Sequence, residues 1–362
     1  MIPVKDLKLN KKMKIKDLLE QFRQIGGFQA QELYRAYEIL KEMFNDKNCI
    51  KVLSFPADII ATGIRGVIRD LIKNKMFDLV ITTTGTLDHD LARLEKDYYL
   101  GYFEADDIYL REKGIMRLGN VFIPGENYGP AIEKILRPIL EEIYQELDRE
   151  SYYFAECPIC KEKIIGKTIE DLFINLEIHL EKHNKRLRDV KDRIRIKGEN
   201  KKIIGTYQFI WEIGKRLENH PRKEESIVYW SYKNKIPIII PGITDGAVGT
   251  QILMFKTEHP DFEVSVWKDE IYLSEIFFGE KKVGALMLGG GISKHHVIWW
   301  AQFSGGLEYA VYITSAVEQD GSLSGARTRE AISWGKIKKE AKHVTVWGDI
   351  TIILPILIAP FL

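Results

Sequence analysis

Ala285-Leu286-Met287-Leu288-Gly289-Gly290-Gly291-Ile292-Ser293-Lys294-His295-His296 is the stretch whose reading decides the fold. Four apolar residues in succession suit a strand buried on both faces, because a strand with one wet face would alternate. Three glycines end the run and polar residues follow at once, which is how a parallel strand delivers a ligand-facing loop at its carboxyl end. Comparable runs recur on either side: Ile50 to Leu53, Leu79 to Thr84, Val121 to Pro124, Ile236 to Pro241, Tyr309 to Thr314 and Val344 to Trp347, many separated by helical stretches. That alternation predicts an α/β fold, a Rossmann-like and mostly parallel sheet flanked by helices. The residues just beyond the strands are rich in glycine and small polar groups, as in Gly85-Thr86-Leu87-Asp88-His89-Asp90, Gly242-Ile243-Thr244-Asp245-Gly246 and the loop through Asp320-Gly321 and Gly325.

Upstream of the first strand, two helices are expected on either side of Gly26-Gly27, the second with Leu33, Tyr34, Tyr37, Leu40, Met43 and Phe44 at helical spacing. From about Glu150 to Lys202 the α/β rhythm stops. One body over 1–149 and 203–362, interrupted by a segment inserted at 150–202, accounts for the 362 residues.

Lys and Arg number 53 against 52 Asp and Glu, and a net charge of +1 excludes a chain whose main business is coating nucleic acid or an anionic membrane. Three cysteines, two of them close together, argue for a metal or a reducing compartment over a disulfide framework. No apolar run approaches a membrane span. The opening Met1-Ile2-Pro3-Val4-Lys5-Asp6 lacks a signal-peptide layout, so a cytoplasmic location is expected. The apolar stretch from Ile352 to Leu362, broken by Pro355 and Pro360, reads as a buried terminal segment.

Within the insert, Cys157-Pro158-Ile159-Cys160 is followed by Thr168 and Asp171 at helix-capping spacing, then by His179 and His183 on one helix face. Two thiolates on a knuckle and two imidazoles on a helix make a structural zinc set of the C2H2 type. Between Cys160 and His179 lie 18 residues, longer than the usual finger's ~12. The competing account is a chance cysteine pair with ordinary surface histidines. From Lys185 to Lys202 there are nine basic and three acidic residues, either a solvated face or a surface for RNA, ribosome or an acidic protein.

In the body, the triple glycine lets backbone approach a phosphate closely, or simply turns. His295 at a strand end is placed for proton transfer, unless it is a satisfied structural residue. Glu330-Ala331-Ile332-Ser333-Trp334-Gly335-Lys336 sets a carboxylate, a ring and an amine within seven residues, with Glu330 and Trp334 on one face if helical. A lysine desolvated beside an aromatic can become a nucleophile; on an amphipathic helix it merely snorkels.

Taken together, Thr82-Thr83-Thr84-Gly85, Gly119-Asn120, Pro124-Gly125-Glu126-Asn127-Tyr128, Val228-Tyr229-Trp230, Ile243-Thr244-Asp245-Gly246, the triple glycine with Lys294-His295-His296, Tyr309-Ala310-Val311-Tyr312, Asp320-Gly321-Ser322, Ser324-Gly325-Ala326-Arg327 and Ser333-Trp334-Gly335-Lys336 resemble deoxyhypusine synthases. The resemblance runs from about 15 to 150 and from about 205 to the end, leaving the insert outside. It implies a cytoplasmic homotetramer of archaeal type whose body is the NAD-binding catalytic domain. The implied reaction moves the aminobutyl group of spermidine, with NAD, onto one lysine of the translation initiation factor 5A precursor. By the same resemblance, Lys336 would carry the group as an imine and His295 would be the base. Asp245, Gly289, Gly290, Gly291, Thr314, Ser315 and Asp349 would border NAD, and Trp334, Tyr312 and Glu330 would line the polyamine channel. At three positions of the polyamine site that are acidic in eukaryotic members this chain has His89, Thr250 and Leu323, so that His89 too would be a substrate-binding residue, with Asp88, Asp90 and Asp320 as neighbouring stand-ins; Ala57-Asp58 replaces a Ser-Asn pair in the NAD loop. Those departures leave room for a homospermidine-synthase-like transfer to a diamine such as putrescine, or for a non-catalytic RNA- or ribosome-binding relative.

Overall fold

The computed structural model describes residues 1–199 and 201–362. Six strands, β1 (Cys49–Ser54), β2 (Leu79–Ile81), β3 (Ile238–Ile239), β4 (Lys282–Leu288), β5 (Leu307–Thr314) and β6 (Ile337–Trp347), form one sheet in the order β3-β2-β1-β4-β5-β6. Every pairing in it is parallel. Apolar runs read as doubly buried strands are so: β2 is buried throughout, as is β4 from Val283 onward. Helices cover both faces, one core running through Leu53, Val80, Leu286 and Val311, the other through Val52, Ile81, Ala285 and Tyr312. Alternate residues of each strand thus serve opposite layers.

Val121–Pro124 departs from the expected pattern. It is the middle strand of a separate antiparallel sheet, between Tyr99–Leu100 and Ile115–Leu118. The Gly119-Asn120 turn, with Gly119 at φ +58°, folds it straight back on Ile115–Leu118, so its backbone bonds are satisfied locally in an antiparallel hairpin. The terminal apolar stretch also differs from expectation: the helix Ile350–Ile358 continues through Pro355, burying Leu354, Leu357 and Ile358 while leaving Ile352 exposed. The two N-terminal helices fall at Ile15–Phe22 and Phe28–Asn45, on either side of Gly26-Gly27. Among the described residues no helix is long and apolar enough to cross a membrane.

The helices that position the sites are α1 (Gly85–Glu95), α2 (Gly129–Glu150), α3 (Ile169–Glu181), α4 (Ala247–Glu258), α5 (Gly291–Ala301), α6 (Thr328–Ser333) and α7 (Ile350–Ile358). Because α1, α4, α5 and α7 each follow a strand, their N-termini all stand at the carboxyl edge of the sheet. Helix α2 begins at that edge too, where Tyr128 Oη donates to Asp88 at 2.7 Å. It has 22 residues and so is about 33 Å long. The insert grows from its far end, fastened there by Lys202 donating to Asp148 at 2.8 Å. Residues 150–202 therefore sit toward the amino edge, about 30 Å from the loops that follow the strands.

The insert is a three-stranded antiparallel sheet, ordered Lys163–Gly166, Tyr152–Glu156, Ile196–Glu199, with α3 packed on one face through Ala155, Ile164, Leu172 and Leu176. Thr168 and Asp171 form the expected capping box.

Candidate active site and metal centre

The strand order turns around between β1 and β4: one half of the sheet is built outward from β1 and the other from β4. Such a switch point leaves a crevice beyond the carboxyl ends of the two strands. The Gly289-Gly290-Gly291 loop lines it. Gly289 and Gly291 have φ of +67° and +69°, left-handed values that favour glycine. A Cβ on Gly289 would stand 3.1 Å from Pro56, and one on Gly290 would collide with Ser324, while Gly291 opens on free space. No side chain caps α5, so its first amides remain available to an anion. Thr314 at the end of β5 is buried, and Asp349 caps α7 by accepting from the Thr351 amide at 2.7 Å. Asp245 is exposed ahead of α4. This cradle of bare backbone, helix N-terminus and carboxylate fits the pyrophosphate and ribose of a dinucleotide.

Beside it, a cleft of about 400 Å³ gathers Lys336, Trp334 and Glu330 from one short stretch with His295 and Tyr312 from two others. Helix α6 ends at Ser333, so Trp334 is its C-cap, and it lines the cleft together with Glu330. Gly335, at φ +68°, turns the chain, and Lys336 stands half-buried just before β6 with its ammonium 5.3 Å from the Trp334 ring centre. His295 stacks on Trp299 with ring centres 6.1 Å apart. Partial burial and the Lys336 charge both hold the His295 imidazole below its usual range, so the ring is neutral and basic near pH 7.

Lys294 is the residue whose part the sequence did not reveal. It is fully buried, its ammonium donates to the carbonyls of Leu323 and Ala326 at 2.8 and 3.0 Å, and burial pulls its pKa down to about 8 despite the opposing pull of Glu330. The Tyr312 hydroxyl is buried without a partner among the described residues. Trp299 and Gln302 share the helix face of His295, a spacing of four and three that could have flagged them.

Among the described residues Glu330 is the only carboxylate lining this cleft, against Lys294, Arg327 and Lys336. Leu323 lines it as well, but His89 and Thr250 do not. His89 is buried on α1, with Nδ1 3.1 Å from Tyr98 Oη. Thr250 is exposed on α4, bonded to the Gly246 carbonyl. The proposed stand-ins are otherwise engaged. Asp88 accepts from Tyr128 Oη and from the amides of Ala247 and Val248, and so caps α4. Asp90 accepts from Arg65, Ser226 Oγ and the amides of Ile227 and Val228. A carboxylate already holding that many donors is structural, which corrects the expectation for both residues. Asp320 spends an oxygen on the Ser322 amide.

In the insert, one ligand atom from each of Cys157, Cys160, His179 and His183 lies within 4.8 Å of the others. Cys160 Sγ is 3.2 Å from His179 Nε2, which is 3.4 Å from His183 Nε2. Burial pushes the Cys157 thiol up, but hydrogen bonds from the Cys160 and Ile159 amides leave it below the usual thiol range. Two sulfurs and two imidazoles converging on one point are the donor set of a tetrahedral metal. Cys49 lies apart in the core, its thiol pushed up to about 12 by burial.

A family model described as deoxyhypusine synthase matches residues 17–171 and 162–361. A Picrophilus torridus protein named probable deoxyhypusine synthase is 46% identical over 360 residues, 99% of this chain and 97% of the relative. Proteins of the same name from Thermoplasma acidophilum and Sulfolobus acidocaldarius are 44% and 39% identical, each over 99% of this chain and over 97% and 96% of their own length. The aligned span includes residues 150–202, which the motif resemblance alone had left outside. The fold is also that of an Entamoeba histolytica crystal structure titled as a deoxyhypusine synthase, at TM-score 0.56 and 19% identity over 98% of this chain and 95% of that one. A family model spanning both halves of the chain and full-length relatives well above 30% identity make this chain a member of the deoxyhypusine synthase family.

Proposed function

We propose that this chain is a cytoplasmic deoxyhypusine synthase that transfers the aminobutyl group of spermidine to one lysine of the translation initiation factor 5A precursor, acting as a homotetramer. The observation that carries the reading is the convergence of Lys336, His295, Trp334, Tyr312 and Glu330 on one cleft beside the glycine crevice. NAD bound in the glycine crevice would supply the hydride acceptor for oxidation of the amine-bearing carbon and the hydride donor for the final reduction. Asp349, Thr314, Ser315, Asp245 and the three glycines would hold it. Neutral His295 removes the amine proton as that carbon becomes an iminium. Lys336 adds to the carbon and diaminopropane leaves, so the aminobutyl group stays on the enzyme as an imine. The acceptor lysine then displaces Lys336 in the same way. Trp334 and Tyr312 offer ring faces, and Glu330 a charge, to the cationic chain.

Borohydride added with spermidine and NAD should trap a covalent adduct on Lys336 that Lys336→Arg abolishes; an untrapped wild type would reject the reading. The single lining carboxylate favours a second possibility, a small diamine such as putrescine as acceptor. Labelled product on putrescine alone would establish it.

For the insert we infer a structural zinc held by Cys157, Cys160, His179 and His183. Four protein ligands close the shell and leave no position for substrate. The module's two small cores, around Leu172 and around Cys157 with Leu180, are the kind that need such a staple.

A further inference from the structure

Charge in the insert is sorted by element. Helix α3 carries Glu170, Asp171, Glu177 and Glu181 and no lysine or arginine, whereas residues 185–197 hold seven basic and two acidic groups. The helix covers one face of the small sheet through Ala155 and Ile164, so the other face is that of Tyr152 and Phe154. These two residues are two apart on the central strand and therefore share a side. Their rings lie 6.2 Å apart at 27°, half-buried, and form a shelf. By register Lys197 stands directly across from Phe154 on the same side. Lys163, from the other neighbouring strand, holds its ammonium 3.8 Å from the Phe154 ring centre and 5.5 Å from that of Tyr152. Arg193 and Arg195 are exposed on the approach to the Lys197 strand, and among the described residues neither they nor Lys197 form an ion pair.

We propose that this face binds a single-stranded nucleic acid. Aromatic rings on an open antiparallel sheet offer π-faces to unstacked bases, and the cations beside them, which outnumber the one carboxylate of Glu156 across from Lys163, track the phosphates. In this arrangement two successive bases stack on Tyr152 and Phe154 as Lys163 swings from the rings to a phosphate, while the backbone follows Lys197, Arg195 and Arg193. A duplex, whose bases are already stacked, has nothing to offer the shelf. An acidic polypeptide would satisfy the cations and leave the rings unused, so the rings decide between the two partners. The surface requires neither the aminobutyl chemistry nor any contact with the catalytic cleft.

The test is fluorescence anisotropy of fluorescein-labelled oligouridylate of about twelve nucleotides with the full-length, zinc-replete protein, at 50 and 200 mM salt. Saturable binding that weakens with salt is expected. Phe154→Ala should weaken it about fivefold or more, as loss of one stacked base does. Phe154→Leu, which keeps the volume and the fold, should weaken it as well, and the triple change Arg193→Gln, Arg195→Gln, Lys197→Gln should flatten the salt dependence. Absence of binding at 50 mM salt would overturn the proposal, as would Phe154→Leu binding like wild type. Polyglutamate displacing the probe as well as unlabelled oligouridylate does would assign the surface to acidic proteins instead.

Discussion

The ammonium of Lys294 lies 4.0 Å from the centre of the Tyr312 ring, at the floor of the cleft that also holds Lys336. With its two carbonyl bonds it ties the loop carrying Leu323 and Ala326 to helix α5, which carries His295. Lys294→Met keeps the length and apolar stem but leaves both carbonyls without a donor. The loop should then shift, and transfer should fall about 10–100-fold, the cost of misplacing reacting groups by an ångström. Radiolabelled aminobutyl transfer measures this; a rate within twofold of wild type would show that the tie is dispensable.

His295 supplies a direct electrostatic check. Burial and the Lys336 charge both oppose its protonation. In an NMR titration its imidazole should protonate below the ordinary pKa of about 6.5, and in Lys336→Met the midpoint should move up. An unchanged midpoint would mean that the two side chains are electrostatically separate in solution.

Much of this was legible in the sequence. Six of the seven apolar runs became strands of the main sheet, the buried β2 and β4 most plainly and the edge strand β6 only over its last residues, and the glycine and small polar residues after them marked the ligand edge. The convergence of Cys157, Cys160, His179 and His183 was visible because its spacing is local: two residues between the cysteines, one helical turn between the histidines. Side-chain direction was not legible. Asp88 and Asp90 sit beside a strand end and looked available to an amine, yet both point into the fold to satisfy amides. Lys294 adjoins His295 in the chain and lines the same cleft, yet its ammonium is buried and spent on the Leu323 and Ala326 carbonyls. Adjacency gives position along an element; only packing decides which neighbour a side chain meets.

Asp90 illustrates the cost of the structural role. It is fully buried, with Arg65 Nε at 2.7 Å and three further donors from residues 226–228. Replacing it by Asn should leave buried Arg65 with only the longer contact to half-exposed Glu225 at 3.7 Å, destabilising the fold by about 3 kcal/mol. Urea denaturation of Asp90→Asn would show this as a lower midpoint. A change of under 0.5 kcal/mol would mean that Arg65 finds another partner.

His89 should shape stability at acid pH. Burial, then the nearby Arg93, pulls its pKa to about 4, and the groups facing it are Arg93, Tyr98 and Tyr128, none of which favours the cation. The unfolded chain protonates this group near 6.5, so below that pH it binds more protons than the folded chain and stability falls as pH drops toward 4. The group contributes at most about 1.4 kcal/mol per pH unit across that window. His89→Asn should flatten the loss of urea stability between pH 6.5 and 4.5; an identical slope would assign the acid sensitivity elsewhere.

A metal held by Cys157, Cys160, His179 and His183 would have an outer partner as well as ligands. His179 turns Nε2 toward Cys160 and His183, and its other nitrogen, Nδ1, is 3.8 Å from the Glu162 carboxylate. A carboxylate behind a ligating imidazole fixes the tautomer that presents the correct nitrogen, and its loss costs about 10–100-fold in metal affinity. Glu162→Gln should therefore bind zinc that much more weakly in chelator competition, while Cys160→Ser loses it altogether. Wild type that takes up no zinc would remove the metal centre itself; tight wild-type binding with an unaffected Glu162→Gln would remove only the outer partner. Because the length of α2 separates the insert from the carboxyl edge of the sheet, both variants should keep most of their transfer activity. Parallel loss of zinc and of chemistry in a protein that remains folded would mean that the insert acts on a catalytic cleft, which within one chain lies at the opposite end of that helix.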